Sequence, residues 1–366
     1  MKAILIDNIA AHYRAPIYQL LDKEIGLDFV VGDKQADIKK MDYSLLKNKV
    51  TEVHNVYFPH GYYQRGVPKL MFSKYDTYIF LGDMRCVSNW LLLITSLFFK
   101  KKQVYLWSHG QLGKEGKLNQ LVARVFYGMA DGAFIYNERS THLLASHGVR
   151  EDKLHTIYNS LNYDAQLPIR QSLCNKPIYQ EHFGNSNSNI VFIGRLTTVK
   201  RFDLLIEAVS ILKQRGERLN VTFIGDGVER KNMETMVADK DIKNQVWFYG
   251  ACYDEKTNAE LIYNADLCVS PGNIGLTAMH VLMFGCPAIT NDDFNHQMPE
   301  FEAIKTGKTG DFFKADSSSS LADVISKWFK EHGNEREKVR QACYKEIDEK
   351  WNPHHQIEIF KSVLGA

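Results

Sequence analysis

Short apolar runs and longer amphipathic segments alternate along most of this chain. Runs at 3–6, 28–31, 77–81, 103–107, 132–136 and 154–157 have the length and the β-branched or aromatic content of buried strands. Between them, 15–24, 87–99, 118–130 and 138–147 read as helices, each with apolar residues recurring along one face. A second series follows, with strands expected at 189–193, 220–224, 246–249, 267–270 and 287–290, and helices at 202–215, 230–240, 255–264 and 276–284. A strand that returns parallel to its neighbour needs a crossover, so this alternation implies parallel sheets covered by helices on both faces. The fold class expected is α/β, with two doubly wound domains. The alternation breaks between 164 and 188, which is rich in Pro, Gln, Asn and Ser. The expected organisation is a first domain over 1–165, a linker over 166–188, a second domain over 189–345 and a terminal segment over 346–366. Helices are expected at 321–332, 335–349 and 354–364, and the serine run 317–320 sits where a helix N-cap belongs.

Composition changes this picture little. A chain of 366 residues, 45% hydrophobic and 24% charged, suits two soluble domains that each bury a core. The formal charge is only +2 and no basic arm is long enough to follow a phosphate backbone, so no nucleic-acid partner is expected. The first residues have one lysine and an apolar run interrupted by Asp7, which reads as a strand and not as a signal peptide. Six cysteines are scattered without a C-x-x-C pair, and Cys268 and Cys286 lie in apolar runs as buried thiols. A cytoplasmic location is the expectation. The strongest apolar run, 90–99, is closed by Lys100, Lys101 and Lys102. At about ten residues it is too short to span a bilayer, and a buried helix of the first domain is expected. Together with Lys114, Lys117 and Arg124, these lysines would form a basic rim for anionic lipid, which makes peripheral contact with the inner membrane a secondary expectation.

The candidate chemistry lies in three segments of the second series. These are V-F-I-G-R-L-T-T-V-K at 191–200, F-I-G-D-G at 223–227, and S-P-G-N-I-G-L-T-A-M-H-V-L-M-F-G-C-P-A-I-T at 270–290. Each puts glycine and small polar or basic residues just after an apolar run, where the backbone of an open α/β sheet meets anionic ligands. Arg195 offers a planar fork for two phosphate oxygens, and Lys200 a compact charge a few residues on. Amides at the helix start near Thr277 point outward, and Gly275 allows close approach to the backbone. Gly225 and Gly227 fit a turn after the second strand of this series. The glycine-rich stretch 110–117 lacks P-loop spacing.

The order of these segments resembles the donor-binding half of family 4 glycosyltransferases, which have the two-domain GT-B fold. The resemblance rests on Gly194, Arg195, Leu196 and Lys200, then on Ser270 to Leu276, His280 and Gly285-Cys286-Pro287. It is looser in the first domain, where Trp107-Ser108-His109-Gly110 resembles a Trp-x-His-Gly segment of the family. Both glutamates of the family's E-x7-E pattern are replaced, by Gly272 and His280. The resemblance implies two Rossmann-like domains facing a cleft, the first for an acceptor and the second for a nucleotide-sugar donor, with the terminal helix crossing back onto the first. It implies sugar transfer with retention from a UDP- or GDP-linked donor to a glycan or lipid-linked oligosaccharide, in surface polysaccharide or lipopolysaccharide assembly, with neither cofactor nor metal.

Residue by residue, the resemblance points to His109, Arg195 and Lys200 as the catalytic set. Donor binding would fall to Gly194, Gly272, Asn273, Ile274, Gly275, Leu276, Thr277, His280 and Glu300. His12 and Arg14, after the first strand, are candidates for the acceptor or the cleft. His280 would replace a ribose-holding carboxylate with one hydrogen bond reversed in sense. Gly272 would leave a larger and less polar pocket edge, which implies a donor sugar modified there. Two other readings of the same residues are a catalytically degenerate GT-B partner protein and a GT-B sugar-nucleotide epimerase.

Overall fold

The computed structural model describes residues 2–35 and 38–366. The chain divides into two compact units, one formed by Met1–Tyr163 with Asn352–Ala366, the other by Asp164–Trp351.

In the first unit the strands are β1 (Ala3–Asp7), β2 (Asp28–Gly32), β3 (Val50–Val53), β4 (Asn55–Phe58), β5 (Gly61–Gln64), β6 (Thr77–Leu81), β7 (Gln103–Ser108), β8 (Gly132–Ile135) and β9 (Leu154–Thr156). Seven of them make one sheet in the order β3-β2-β1-β6-β7-β8-β9, and β4 and β5 form a separate antiparallel hairpin. Every pairing in the large sheet is parallel. Helices α1 (Ala15–Leu20), α2 (Val87–Ser96), α3 (Lys117–Met129) and α4 (Glu138–Ser146) belong to this unit.

The two-residue period of the strands sets the layers. Ile4, Ile6, Tyr78, Phe80, Val104 and Leu106 face Leu92 and Leu93 of α2 and Phe126 of α3. The alternate residues, including Leu5, Ile79, Trp107 and Phe134, form the other layer with Ile17 and Tyr18. The last helix of the chain, Pro353–Leu364, completes that second layer with Ile357, Phe360 and Leu364. Phe360 sits 4.2 Å from Phe134 and 5.2 Å from Trp107, centroid to centroid. Asn352 caps this helix by accepting from the His355 amide, with Pro353 in its first turn.

The second unit begins with α5 (Tyr163–Ser172) and α6 (Ile178–Phe183), so residues 166–188 are not an open linker. Gln166 and Tyr179 anchor them through hydrogen bonds to Glu255 and to the Leu261 carbonyl. The sheet uses β10 (Asn189–Ile193), β11 (Asn220–Ile224), β12 (Val246–Gly250), β13 (Leu267–Val269), β14 (Ala288–Asn291) and β15 (Gly310–Phe313) in the order β12-β11-β10-β13-β14-β15, all parallel. Its helices are α7 (Phe202–Gln214), α8 (Arg230–Asp239), α9 (Glu255–Asn264), α10 (Thr277–Met283), α11 (Ser318–His332) and α12 (Arg336–Glu349); the terminal helix at 353–364 is α13. The terminal segment expected over 346–366 is thus divided, because α12 stays with the second unit. Ser317 caps α11 by accepting from the Ser320 amide. Among the described residues, no helix is long and apolar enough to cross a membrane.

In both large sheets the strand order reverses beside the first strand, between β1 and β6 in one and between β10 and β13 in the other. Ligands of open α/β sheets bind beyond the carboxyl ends of the strands at such a switch point.

Candidate functional site

The loop after β10 carries Gly194 and Arg195, and the loop after β13 carries Ser270 to Leu276, so both edges of the second switch point hold predicted site residues. Arg195 is exposed. No ion pair or hydrogen bond of its guanidinium occurs among the described residues.

Lys200 behaves differently. Its ammonium donates to the carbonyls of Asn273 (2.5 Å) and Ile274 (3.3 Å), tying the first loop to the second. Burial pushes the Lys200 pKa down to about 8, with Cys268 and Glu300 opposing and Arg195 adding to the fall. Lys200 therefore shapes the glycine loop and also places positive charge beside Arg195.

The glycine loop is held from several sides. Gln297 is buried, donates to the Gly272 carbonyl (3.1 Å) and accepts from the Ile274 amide (3.0 Å). Thr290 donates to the Ser270 and Gly272 carbonyls, and Asn291 to those of Pro271 and Gly272. Asn273 donates to the His296 carbonyl (2.8 Å), and Ile274 is fully buried. Gly275, Leu276 and Thr277 remain partly exposed at the start of α10, where amides have no acceptor within the helix. The Thr277 hydroxyl donates to the Ile193 carbonyl (3.2 Å) and so fixes that start against the end of β10.

Gly272 corrects one expectation. A Cβ there would lie 1.9 Å from the Val199 carbonyl oxygen, and the Gly272 amide donates to the Lys200 carbonyl at 2.9 Å. The glycine is required by backbone contact between the two loops, and no vacated carboxylate site enlarges the pocket. The cavity that Gly272 lines, of about 420 Å³, has mixed charge, with Lys200 and Arg201 facing Asp293 and Asp316. Arg195, Gly275 and His280 are not among its walls.

His280 is half-buried on α10, and its Nε2 lies 3.0 Å from Glu255 Oε1. Gln166 donates to the same oxygen at 2.7 Å. Burial pushes the Glu255 carboxyl up, but the hydrogen bonds from His280 and Gln166 outweigh it and hold it below its usual value. An ionised carboxylate only accepts, so Nε2 carries the proton and Nδ1 of a neutral ring is left as an acceptor. A carboxylate thus stands next to position 280 although the chain has none at 280 itself. Glu300 is buried in the 3₁₀ turn Pro299–Ala303, close enough for its charge to act on Lys200.

The first unit's switch point has its own cavity, of about 430 Å³, between the end of β1, the β4–β5 hairpin and the turn after β6. Asn8, Tyr57, Phe58, His60, Asp83 and Arg85 are among its walls. Asp83 and Arg85 pair through two side-chain hydrogen bonds of 3.1 Å. Arg14 is not exposed toward a ligand. It is buried, donates to Asp7 at 3.1 Å, and lies over the rings of Trp107 (5.3 Å) and Tyr136 (5.5 Å). Burial disfavours its charge, but Tyr136, Asp7 and Tyr18 outweigh this and hold its pKa above the ordinary value. His109 packs on Tyr136 at 4.7 Å, and its Nδ1 is buried without a hydrogen-bond partner among the described residues. Burial and the Arg14 charge push His109 down to about 4, so it is neutral at pH 7. His12 is exposed, with Nδ1 3.3 Å from the Lys39 carbonyl.

The structure thus gathers Gly194, Arg195, Lys200, the 272–277 loop and Glu300 around one switch point, with His280 on the helix that leaves it. It places His109, Arg14 and His12 in the other unit. Sequence reasoning missed Gln297, Thr290, Asn291 and Glu255. Gln297 adjoins Glu300 and was available as a polar residue beside a strand end; Glu255 gives no local signal. Among the described residues, no group of three or more His, Cys, Asp or Glu side chains is placed to hold a metal ion.

Two Rossmann-like α/β units of this kind define the GT-B fold class, and solved structures agree along the whole chain. Anabaena Alr3699/HepE in complex with UDP superposes with a TM-score of 0.71 at 15% identity, covering 100% of both chains. The apo form of the lipopolysaccharide outer core galactosyltransferase WaaB does so with a TM-score of 0.73 at 14% identity, covering 100% of this chain and 99% of that one. Residues 179–346 match the family model described as Glycosyl transferases group 1. The putative glycosyltransferase EpsD of Bacillus subtilis is 27% identical over 187 residues, 50% of this chain and 46% of that protein. The match therefore spans about half the length of this curated relative.

Proposed function

We propose that this protein transfers a sugar from a nucleoside diphosphate donor to a hydroxyl of a glycan or lipid-linked acceptor, with retention of configuration at the transferred carbon. The observation that carries the reading is Arg195, an exposed cation without a partner among the described residues, at the switch point of a domain that matches the glycosyltransferase model. As the glycosidic bond breaks, negative charge grows on the leaving phosphate. Arg195, the Lys200 charge and the amides at the start of α10 stabilise it in place, which lowers the barrier because they need not reorganise. In the retaining scheme the leaving oxygen takes the proton of the attacking hydroxyl, so no pair of catalytic carboxylates is required. His280 Nδ1 and the Glu255 carboxylate together offer the acceptors that hold the two hydroxyls of a ribose diol. HepE was solved with UDP, which supports a UDP-linked donor here. The cavity beside Asp83 and Arg85 would take an acceptor sugar, with Tyr57 and Phe58 as apolar faces and the charged pair for hydroxyls. Surface polysaccharide or lipopolysaccharide assembly fits the description of WaaB. The degenerate-partner reading is weaker, since a relic has no reason to keep an exposed Arg195 beside a buried Lys200.

Nucleotide sugars tested by thermal melting should include one that raises the midpoint, because a ligand bound by the folded state alone stabilises it. That donor should be hydrolysed slowly without acceptor. If no UDP- or GDP-sugar raises the midpoint, the proposal fails.

A further inference from the structure

The run 90–99 was expected to be buried, and only one face of it is. Along α2 and the turn after it, Val87, Leu91, Ile94 and Phe98 are exposed at intervals of four, three and four, which is one continuous helical face. Phe98 is 81% exposed. The opposite face, with Leu92 and Leu93, enters the core. On α3, Leu118, Leu121 and Val125 repeat the pattern, and Leu118 is 73% exposed. Trp90 and Phe126 join the two helices at 4.9 Å, and Phe72, 72% exposed, meets Phe99 at 5.5 Å. Soluble proteins scatter exposed apolar side chains singly; a contiguous set on adjacent helices marks a surface that something covers.

The charge around this face says what covers it. Lys100, Lys101, Lys114, Lys117 and Arg124 are all exposed, and none has an ion-pair partner among the described residues. Lys102, by contrast, turns inward to the carbonyls of Ser73 and Tyr75. Between Arg85 and Ala130 the sole acidic residue is Glu115. Its carboxylate accepts from the Leu112 and Gly113 amides, so it is committed to its own loop. A rim of one sign around an apolar centre complements a surface that is anionic outside and apolar beneath.

We propose that α2, α3 and the turn around Phe72 form a docking face for an anionic lipid bilayer. The apolar side chains enter the headgroup–acyl boundary, and the lysines and Arg124 meet lipid phosphates. The face lies in the first unit and includes no donor-site residue, so it stands or falls independently of the proposed transfer.

The test is flotation of the full chain with vesicles of phosphatidylcholine alone or mixed equally with phosphatidylglycerol, at low and high salt. The expected result is binding to the mixed vesicles only, weakened by salt. K100Q/K101Q should lower the partition by about 25-fold, each cation near an anionic surface contributing a factor of about five. F98S/L118S should lower it by at least about tenfold at low salt. Both pairs are exposed, so melting midpoints should not move. K327Q/K330Q, on α11, should bind as the unaltered chain does. Absence of binding to the mixed vesicles, or equal binding by all variants, overturns the proposal. So does a lipid-free dimer in sedimentation velocity that F98S/L118S dissolves, which would assign the face to a second copy; a monomer supports lipid.

Discussion

The two units place an arginine in the same topological position and use it in opposite ways. In each, the loop leaving the first strand at the switch point carries a guanidinium, Arg14 after β1 and Arg195 after β10. Arg14 is buried, paired with Asp7 and covered by aromatic rings, whereas Arg195 is exposed and unpaired among the described residues. A cation can grip an incoming anion only if the protein has left its charge uncompensated. The first is part of the scaffold, and the second is available to a ligand.

The sharpest way to break this contrast is Arg14→Ala. It leaves the Asp7 carboxylate buried without its cation and should cost about 3–5 kcal/mol of stability, measured by urea unfolding. Little change in the midpoint would show that Arg14 is not a structural residue. Arg195→Ala should do the reverse. The expected loss is about a hundred- to a thousandfold in turnover of the nucleotide sugar, comparable to removal of one charge-stabilising donor, with an unaltered melting midpoint.

Gly272→Ala is smaller in effect. The added methyl meets the Val199 carbonyl, so the loops must separate, at about 1–3 kcal/mol of stability and with weaker donor binding. Unchanged unfolding and donor affinity would show that the loop contact can yield.

The smallest effect is on pH dependence. Lys200, facing Arg195, Glu300 and Cys268, has its pKa lowered to about 8. Its charge is present below that value and lost as pH rises through it, so donor affinity should fall by up to about tenfold per pH unit above it. The unfolded chain keeps this proton to higher pH. The Lys200 contribution to stability therefore increases as pH rises through its folded pKa toward its unfolded one. Titration calorimetry and urea unfolding over that window should thus trend in opposite directions, and parallel trends would count against the assignment.

Much of the fold was legible. Strands β10 and β11 and helix α9 have the bounds that their apolar patterns imply. Strand β3 was missed because it is a half-exposed edge strand, and the β4–β5 hairpin because its aromatic residues partly face solvent. Helix α5 was concealed by Pro168 in its interior. The site was legible where chain neighbours make it, as at 194–200 and 270–277. It was not legible where partners come from afar. Glu255 reaches His280 across 25 positions, and Asp7 reaches Arg14 only because the chain turns back after β1. Pairing of this kind is a property of the packed state, and no local period announces it.

Helix α13 bears on how the molecule is made. Its Phe360 packs against Trp107 and Phe134, so the core that contains β1 is completed by a helix that follows the second unit in the chain. During synthesis, domains ordinarily fold in the order in which they emerge from the ribosome. Here the first unit keeps the apolar face that α13 covers open until the intervening second unit has been translated.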